Sequence, residues 1–494
     1  MSLINITNLT FSYEGSYLDV FKDTSFQIDT DWKLGFVGRN GRGKTTFLKL
    51  LTGEYKYSGT ISSNVQFEYF TFNIADSDRL TIEILQEIVP MAEQWEIIRE
   101  TNLLDVNPEV LYNLFSTLSA GERTKVMLGA LFLKENTFFL IDEPTNHLDI
   151  HGREVLAEYL KKKKGFIIVS HDRSFLDECI DHVISINKQN IEIIKGNYES
   201  FSQTKIKTEK HELSENDRIK KEIRHLKIAA GRTQEWSASV EKSKKGVDAK
   251  VTGLRPDRGA IGHKAAKMMK RSKVMERRID SSIDEKEELL KNIETKDTLK
   301  LFPLTYHKNP LLTLDNVSIN YGERTVLEGL DFSIRSGERI NLSGGNGTGK
   351  SSILKLITGE TINFTGTINV PSGLIISYVS QETGHLKGTV KEYAKERDIA
   401  VNLFISVLRK LDIGREQLDE QMDNFSEGQK KKVLIAGSLC TKAHLYIWDE
   451  PLNYIDIISR EQIEELILKA EPTMIFVEHD KTFCDTIASR KVVL

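Results

Sequence analysis

The sequence contains an internal repeat, in which four blocks occur twice in the same order, about 306–308 residues apart. The first copy contains GRNGRGKTTFLKLLTGE, LSAGERTKVMLGAL, FFLIDEPTNHLD and GFIIVSHDRSFLDE. The second copy contains GGNGTGKSSILKLITGE, FSEGQKKKVLIAGSL, LYIWDEPLNYID and MIFVEHDKTFCDT. Because the two copies take up most of the 494 residues, the chain must fold into two domains of the same kind.

Each copy has the pattern of an α/β domain. Continuous apolar runs at 138–141 and 166–169 predict strands that are covered on both faces. A glycine-rich turn at 38–43 leads into a helix that we predict over 44–52. Alternating strands and helices indicate a mostly parallel sheet, and ligands bind such sheets beyond the carboxyl ends of the strands.

The segment between the copies, 205–299, differs from them in composition. It is rich in Lys, Glu, Arg, Ile and Leu, and apolar residues recur in it at helical spacing. These residues are Leu213, Ile219, Ile223 and Leu226, followed by Met268, Val274 and Ile279. Helix-breaking Gly and Pro residues cluster at about 240–262. We therefore predict two antiparallel helices of about 30 residues, each about 45 Å long, joined by an irregular tip. The predicted domains are 1–204, 205–299 and 300–494.

Positive charge is concentrated in this linker. Residues 218–278 contain 19 Lys and Arg but 6 Asp and Glu, a net charge of +13, whereas the whole chain carries −4. A basic island in an otherwise acidic protein predicts contact with a polyanion such as RNA. The alternative is a solvated helical hairpin whose charge has no partner.

Other features limit the class of protein. No apolar run approaches the ~20 residues that span a bilayer, and the N-terminal sequence lacks the pattern of a signal peptide. The three cysteines, Cys179, Cys440 and Cys484, are isolated, which predicts buried thiols in a reducing compartment. We therefore expect a cytoplasmic protein with no membrane partner.

Two phosphate-binding loops carry the chemistry. Residues 38–45 and 344–351 both match the Walker A pattern G-x-x-x-x-G-K-[ST], in which glycines let backbone amides wrap phosphates at a helix N-terminus. The lysine would reach the β- and γ-phosphates and the following hydroxyl would ligate Mg²⁺. The predicted ATP-binding residues of the loops are Gly38, Asn40, Gly41, Gly43, Lys44, Thr45, Thr46, Gly344, Asn346, Gly347, Gly349, Lys350, Ser351 and Ser352.

In each copy an acidic pair ends one apolar strand and a histidine follows another. The aspartate of the pair is suited to contact Mg²⁺, and the glutamate to polarise the attacking water. The histidine could hydrogen-bond the γ-phosphate. The pair could instead be a simple loop start and the histidine structural, but both recur in register. The aspartates are Asp142 and Asp449, and the predicted catalytic residues are Glu143, Glu450, His171 and His479.

The blocks LSAGE at 118–122 and FSEGQ at 425–429 resemble the LSGGQ signature of ABC ATPases, and the order of all four blocks resembles that family. The resemblance implies two ATPase domains, each a mostly parallel sheet with a helical subdomain. It also implies that the signature of one domain completes the ATP site of the other. The implied pairings are the loop at 38–45 with Ser426, Gly428 and Gln429, and the loop at 344–351 with Ser119, Gly121 and Glu122.

Further positions match the family, and one departs from it. Tyr13 and Tyr321 match the aromatic residue that stacks on adenine, although each could be a core tyrosine of a first strand. Asp149 and Asp456 match the D-loop acids, and Gln381, in SYVSQE, matches the Q-loop glutamine that contacts Mg²⁺ and water.

The first copy reads EYFTFN at the Q-loop, which puts Phe72 where glutamine is expected. Phenylalanine can neither ligate Mg²⁺ nor orient water. Either Thr71 or Asn73 takes its place, or the first site is slower or differently coupled. The second copy departs from the first in the block that follows the acidic pair, where PLNYID replaces PTNHLD.

Two ATPase domains in one chain, a long charged linker and EPTNHLD resemble the ABC-F group, whose characterised members act on ribosomes. The sequences EWSASVEKSKKG at 235–246 and GHKAAKMMKRSK at 262–273 resemble the linker of that group, which enters the ribosomal E site and contacts P-site tRNA. A short segment between Phe72 and the first signature, combined with an extended linker tip, resembles the antibiotic-resistance members of the Lsa and Vga type.

This resemblance implies a protein that binds the 70S ribosome with ATP and Mg²⁺, contacts 23S rRNA and P-site tRNA, and dislodges lincosamides, pleuromutilins and streptogramin A. It implies a monomer whose own ATPase domains pair. Trp236 could stack on a base or pack between the linker helices. Two alternatives are a housekeeping translation or ribosome-assembly factor and a fused ATPase subunit of a membrane transporter. The candidate RNA-binding residues are Lys242, Lys244, Lys245, Arg255, Arg258, Lys264, Lys267, Lys270 and Arg271.

Overall fold

The computed structural model describes residues 2–15, 19–70, 74, 76–146, 148–186, 191–243, 267, 270, 273–274, 278–279, 299–322, 324–345 and 347–494. The chain forms two compact units. The first consists of Met1–Phe201 and Lys296–Leu494 and contains both copies of the repeat, and the second is Ser202–Thr295. The two ATP-binding loops therefore belong to one compact body.

The first repeat is built on a six-stranded sheet and a smaller three-stranded sheet in the part that the structure describes. Its strands are β1 (Leu3–Phe11), β2 (Phe21–Asp29), β3 (Lys33–Val37), β4 (Ser58–Ser62), β5 (Gln66–Phe70), β6 (Thr137–Asp142), β7 (Phe166–Val169), β8 (His182–Ile186) and β9 (Ile191–Lys195). Its helices are α1 (Lys44–Leu51), α2 (Thr81–Ile88), α3 (Gln94–Leu103), α4 (Ala120–Leu131), α5 (Ile150–Lys161) and α6 (Arg173–Cys179). The larger sheet has the order β5-β6-β7-β3-β8-β9 and is parallel except at β9.

The second repeat follows the same plan after the helix α7 (Tyr198–Ser243). Its strands are β10 (Leu312–Tyr321), β11 (Arg324–Ile334), β12 (Arg339–Ser343), β13 (Phe364–Asn369), β14 (Ile376–Val379), β15 (Leu445–Asp449), β16 (Met474–Val477) and β17 (Arg490–Val493). Its helices are α8 (Lys350–Ile357), α9 (Val390–Glu396), α10 (Val401–Lys410), α11 (Glu427–Cys440), α12 (Ile457–Ala470) and α13 (Lys481–Ile487). The parallel sheet has the order β14-β15-β16-β12-β17.

The central strands are apolar because both of their faces are covered. Residues 138–141 of β6, all four residues of β7 and all four of β16 are buried, and the prediction of two-sided burial at 138–141 and 166–169 is therefore confirmed. Such strands read as uninterrupted hydrophobic runs in a sheet packed between layers. The predicted fold class, two tandem α/β domains with mostly parallel sheets, is confirmed. In both repeats the Walker A loop follows an inner strand of the sheet, β3 or β12, and leads into a helix.

The first linker helix differs from the prediction in length. α7 has 46 residues, which corresponds to about 69 Å at 1.5 Å per residue, whereas about 30 residues were predicted. It extends to Ser243, beyond the predicted start of the tip. Ile223 and Ile279 are buried in one small cluster, against which Ile219 and Leu226 pack, so residues distant in sequence meet within this unit. Leu213 and Val274, predicted on the same apolar faces, are instead exposed.

The described helices include none that is both long enough and apolar enough to cross a membrane.

Candidate ATP sites

The first Walker A loop has the backbone shape that a phosphate cradle needs. Gly43 caps α1 with φ of 93°, and a Cβ atom there would lie 2.6 Å from Cγ1 of Val20. Only glycine adopts this conformation without strain and leaves that space. Lys44 follows it and is buried, and its ammonium donates to the carbonyl oxygens of Gly38 at 2.7 Å and Arg39 at 3.2 Å. Burial lowers the pKa of Lys44.

This loop faces a cleft of about 490 Å³ whose walls come from both repeats. The first repeat contributes the loop, the acidic pair and a histidine, and the second contributes its signature. The lining residues are Tyr13, Val20, Asn40, Gly41, Gly43, Lys44, Thr45, Thr46, Asp142, Glu143, Val169, His171, Ser426, Glu427, Gly428 and Tyr454. The structure therefore brings Ser426 and Gly428 to the loop at 38–45, and we call this cleft site one.

The two repeats touch inside site one. The side-chain amide of Asn40 donates to the backbone carbonyl oxygen of Tyr454 at 2.8 Å. A Cβ atom at Gly428 would lie 2.6 Å from the same carbonyl oxygen, within the second repeat, and 3.3 Å from Nδ2 of Asn40 in the first, so the start of the signature helix lies close to the Walker A loop. The guanidinium of Arg39 lies 3.7 Å from the carboxylate of Asp412. The Walker A loop of the first repeat thus contacts the second repeat at three separate points.

The acidic strand end lies beside the loop in site one. The hydroxyl of Thr45 donates to Oδ2 of Asp142 at 2.9 Å, and the hydroxyl of Tyr69 donates to the same oxygen at 2.9 Å. A carboxylate oxygen adjacent to a Walker A hydroxyl is the donor set that Mg²⁺ prefers. Mg²⁺ bound with ATP would neutralise part of the phosphate charge. Thr45 and Asp142 are therefore the residues that would hold it in site one.

The glutamate of site one is paired with the histidine. Oε1 of Glu143 lies 3.2 Å from Nε2 of His171, and that nitrogen also lies 3.1 Å from Oδ1 of Asn40. Burial, together with the charge of Asp142, raises the pKa of Glu143, while burial lowers the pKa of His171 well below its usual range. In this arrangement one side chain, Asn40, contacts both the histidine and the opposite repeat.

The second Walker A loop has a similar geometry. Gly349 caps α8 with φ of 88°, and the Lys350 ammonium donates to the carbonyl oxygens of Gly344 at 2.9 Å and Gly345 at 2.8 Å. Burial lowers the pKa of Lys350, and the charges of Glu450 and Asp149 oppose this effect. Gly347 has φ of 80° in the same loop. Asp149, the D-loop acid of the first repeat, is therefore close enough to act on the second lysine, and we call this region site two.

Asp449 is fully buried, and among the described residues neither of its carboxylate oxygens has a hydrogen-bond partner. Burial raises its pKa to about 6, and the nearby hydroxyl of Ser351 opposes the rise. A buried carboxylate without a partner costs free energy unless a cation compensates it. Asp449 and Ser351 therefore fit a Mg²⁺ ion, and Gln381 is within reach of the same strand end.

Glu450 is held more firmly than Glu143. Its Oε2 accepts hydrogen bonds from Nε2 of Gln381 at 2.9 Å and Nδ2 of Asn453 at 2.8 Å, and its Oε1 lies 3.4 Å from Nε2 of His479. Burial would raise the pKa of Glu450, but the hydrogen bond from His479 and the charges of His479 and Lys350 outweigh it, and the pKa is lowered. Glu450 is thus oriented as a carboxylate able to polarise water.

The two candidate adenine-stacking residues lie at the rim of the loops and not in a core. Tyr13 is 45% exposed and Tyr321 52% exposed, so the alternative of a core tyrosine is wrong. The hydroxyl of Tyr13 lies 2.6 Å from Oγ1 of Thr46, and that of Tyr321 lies 3.1 Å from Oγ of Ser352. Both rings stand where an aromatic face could meet a base.

The signature motifs start helices with reciprocal caps. Ser119 caps α4 and Ser426 caps α11, and each forms a capping box with the residue three positions later, Glu122 or Gln429. The backbone amides that follow each cap, including that of Gly121, lie at a helix N-terminus. The partial positive charge of a helix N-terminus favours a bound anion. The D-loop acids Asp149 and Asp456 cap α5 and α12.

Several predicted residues fall outside the described part of the chain. They include Asn346, the Q-loop residues Thr71, Phe72 and Asn73, and the linker residues Lys244, Lys245, Arg255, Arg258, Lys264 and Arg271. Lys242 and Trp236 lie on α7, but the structure does not describe their side chains. Lys267 and Lys270 are helical and exposed.

Sequence reasoning missed four residues that contact the sites. The hydroxyl of Tyr69 donates to Asp142, the side-chain amide of Asn453 donates to Glu450, and the backbone carbonyl oxygen of Tyr454 accepts from Asn40. Lys431 donates to the carbonyl oxygen of Glu450 at 3.0 Å. Asn453 and Tyr454 lie in a repeated block, which was the available signal. Tyr69 and Lys431 gave no such signal in the sequence, because a single Tyr in a strand and a Lys in a basic run are common.

The comparison with protein families agrees with this geometry. The family described as "ABC transporter" matches residues 21–146 and 327–453, which together are just over half of the chain. The chain therefore belongs to the ABC transporter family, and its two repeats are ATPase domains that bind and hydrolyse ATP.

Two relatives and one solved structure resemble the chain over almost its whole length. The ribosome protection protein VmlR of Bacillus subtilis is 26% identical, and the match covers 100% of this chain and 86% of VmlR. The ABC transporter F family member 5 of Arabidopsis thaliana is 26% identical over 99% of this chain and 74% of its own. The archaeal ribosome recycling factor aABCE1, solved with the ribosomal stalk protein aP1, has a TM-score of 0.64 at 20% identity, over 98% of this chain and 87% of its own. This last likeness shows the fold.

Proposed function

We propose that the chain is an ABC-F type ATPase that binds the ribosome when its two domains are closed on ATP. The observation that carries this proposal is the match to VmlR across the entire chain, linker included. The protein named there is a ribosome protection protein. Work on the ribosome would place the chain in the cytoplasm, and its own two ATPase domains would pair within one monomer.

The sites support a cycle driven by closure. Asn40 and Gly428 bring the two repeats into contact around site one, so a nucleotide bound there would touch residues of both. Closure would therefore be favoured by ATP and lost after hydrolysis. Glu143 and Glu450 would polarise water, Thr45, Asp142, Ser351, Gln381 and Asp449 would hold Mg²⁺, and His171 and His479 would contact the γ-phosphate.

In the same proposal, linker residues 205–299 reach the ribosomal E and P sites and contact 23S rRNA and P-site tRNA. The charge of +13 over 218–278 favours an RNA partner, since neutralised phosphates supply most of the affinity of such contacts. Exposed Lys267 and Lys270 are separated by one helical turn, as a cationic face requires. The remaining candidate RNA contacts are those predicted from the sequence.

We further propose that the tip displaces antibiotics from the peptidyl-transferase centre, with lincosamides, pleuromutilins and streptogramin A as the drug classes. The experiment is expression of the chain in a drug-sensitive bacterial host, with the Glu143→Gln, Glu450→Gln variant as the matched control. The proposal expects higher minimum inhibitory concentrations for the chain than for the control. Unchanged values for all three classes would contradict the drug role and favour a housekeeping ABC-F factor.

A fused transporter subunit is the other candidate. The long basic linker argues against it, because coupling to a membrane partner does not call for a cationic hairpin. Recovery of the chain with membranes, in place of ribosomes, would support this candidate.

A further inference from the structure

A buried lysine joins the signature helix of the second repeat to the catalytic glutamate of the same repeat. Lys431 lies on α11, five residues after Ser426, and is 2% exposed. Its ammonium donates to the carbonyl oxygen of Ser380 at 3.1 Å and to that of Glu450 at 3.0 Å. The first acceptor adjoins Gln381 of the Q-loop, and the second is the catalytic residue itself.

A second contact runs alongside the first. The hydroxyl of Thr383, on the Q-loop, donates to the carboxylate of Glu427, the residue between Ser426 and Gly428 in the signature. Gln381 in turn donates to the carboxylate of Glu450 at 2.9 Å. The signature and the Q-loop of the second repeat are therefore connected at two points, and the Q-loop is connected to the glutamate.

The ends of this chain of contacts belong to different ATP sites. Ser426, Glu427 and Gly428 line site one together with the Walker A loop of the first repeat. Gln381 and Glu450 belong to site two. A displacement of α11, when its N-terminus meets ATP in site one, would therefore move Lys431 and the carbonyl of Glu450 with it.

The backbone of Glu450 explains why such a contact has an effect. Glu450 has φ of 45°, and the matching Glu143 has φ of 50°, in the left-handed region that few non-glycine residues adopt. The ammonium of Lys431 binds its carbonyl and so stabilises this peptide orientation. The direction of the Glu450 carboxylate depends on that peptide orientation.

The first repeat lacks all four side chains of the connection. At the positions that match Gln381, Thr383, Glu427 and Lys431 it has Phe72, Ile74, Ala120 and Thr124. Phenylalanine and alanine donate no hydrogen bond through their side chains, and threonine is too short to span such a distance. The sequence therefore provides this connection from site one to site two and not from site two to site one.

We infer that Lys431 is a positioning residue that couples occupancy of site one to catalysis in site two. It touches no nucleotide and acts through Ser380 and Glu450. The inference needs only ATP hydrolysis, which family membership establishes, and is independent of the ribosome.

The test uses full-length protein carrying Glu143→Gln, in which hydrolysis is confined to site two. Lys431→Met is expected to lower kcat of this protein by about tenfold with KM for ATP changed by less than about twofold, since an orientation is lost and binding is not. Lys431→Arg, which keeps the donors, is expected to restore at least half of the lost kcat. Thr124→Val, at the matching position of the first repeat, serves as the control.

Coupling is measured by adding Ser426→Ala, which weakens the signature of site one. On the Lys431 background Ser426→Ala should lower kcat of site two, whereas on the Lys431→Met background it should have no further effect. An unchanged kcat for Lys431→Met, or equal factors for Ser426→Ala on both backgrounds, would overturn the inference. If Lys431→Met fails to fold, as judged by its thermal midpoint, Lys431→Thr carries the same two comparisons.

Discussion

The side-chain amide of Asn40 donates a 2.8 Å hydrogen bond to the backbone carbonyl oxygen of Tyr454, and so joins the Walker A loop of the first repeat to the loop before α12 of the second. Oδ1 of the same side chain lies 3.1 Å from the ring of His171 and 3.3 Å from the ammonium of Lys44. One side chain thus links the nucleotide loop and the candidate γ-phosphate contact to the opposite domain. Closure of the repeats and the arrangement of site one are therefore interdependent.

The close approach of the signature helix gives the first prediction. In Gly428→Ala, the added Cβ would lie 2.6 Å from the carbonyl oxygen of Tyr454 and 3.3 Å from Nδ2 of Asn40, so the hydrogen bond between Asn40 and Tyr454, which joins the two repeats, must shift. We expect ATPase turnover to fall by on the order of tenfold or more, because small misplacements of catalytic groups are costly. Steady-state hydrolysis is the measurement.

Gly414→Ala is the matched control, since its Cβ would meet its nearest neighbour at an ordinary 3.6 Å. Equal turnover of the two variants, with both folded, would show that the contact at Gly428 does not limit closure.

The missing glutamine of the first Q-loop gives the second prediction. In a Glu450→Gln background hydrolysis is confined to site one. Phe72→Gln is then expected to raise turnover several-fold, because Gln381 holds the equivalent glutamate of site two at 2.9 Å and phenylalanine offers no such donor. Phe72→Leu, which changes size but adds no amide, is the control. Unchanged turnover for Phe72→Gln would contradict this account of the asymmetry.

The buried D-loop acid gives a prediction on pH. Asp456 is fully buried, and Lys432 and Ser459 hold its carboxylate at 3.1 Å and 2.9 Å. Burial alone would raise its pKa, but the charge of Lys432 and the backbone amide of Ser459 lower it below its usual range. The carboxylate therefore adds stability above the unfolded-state pKa of about 3.9, and this contribution is lost as the pH falls.

We expect Asp456→Asn to lower the thermal midpoint at pH 7, and the difference from the parent to shrink from about pH 5 downwards. Asp31→Asn, at an exposed turn, is the control. A difference that stays constant from pH 7 down to about pH 3, below the unfolded-state pKa, would mean that the ionised carboxylate is not the stabilising group.

The basic linker gives a prediction on salt. Charge reversal of Lys264, Lys267 and Lys270 to Glu is expected to weaken ribosome binding and to reduce its salt slope by up to about three, one for each RNA phosphate that is no longer neutralised. Binding is measured by sedimentation over a range of KCl concentrations. The control reverses three exposed lysines of the first repeat, Lys161, Lys162 and Lys164. Equal slopes for the two variants would make the basic island a solvated surface.

The fold was predictable because its signals are periodic or repeated. The strands at β7 and β16 are apolar throughout, and the glycines at 43 and 349 occupy left-handed caps that few other residues tolerate. Each of these features has a recognisable sequence pattern, and the pattern occurs again in the second repeat.

Other features could not be read from the sequence. Lys431 donates to backbone carbonyl oxygens, which every residue has. The sequence therefore contains no partner residue from which these contacts could be predicted. α7 exceeds its predicted length because a polar helix of this kind has no sharp stop signal before the glycines of the tip. The bond from Tyr69 to Asp142 depends on the tertiary placement of two strands.

The most direct test of ATP-dependent ribosome binding uses the variant Glu143→Gln, Glu450→Gln. Both substitutions keep the shape of the side chain and remove the carboxylate that polarises water, so ATP binds and the domains remain closed. The variant is mixed with 70S ribosomes and sedimented with and without ATP. The account predicts that it pellets with ribosomes only when ATP is present. A variant that stays in the supernatant under both conditions would contradict it.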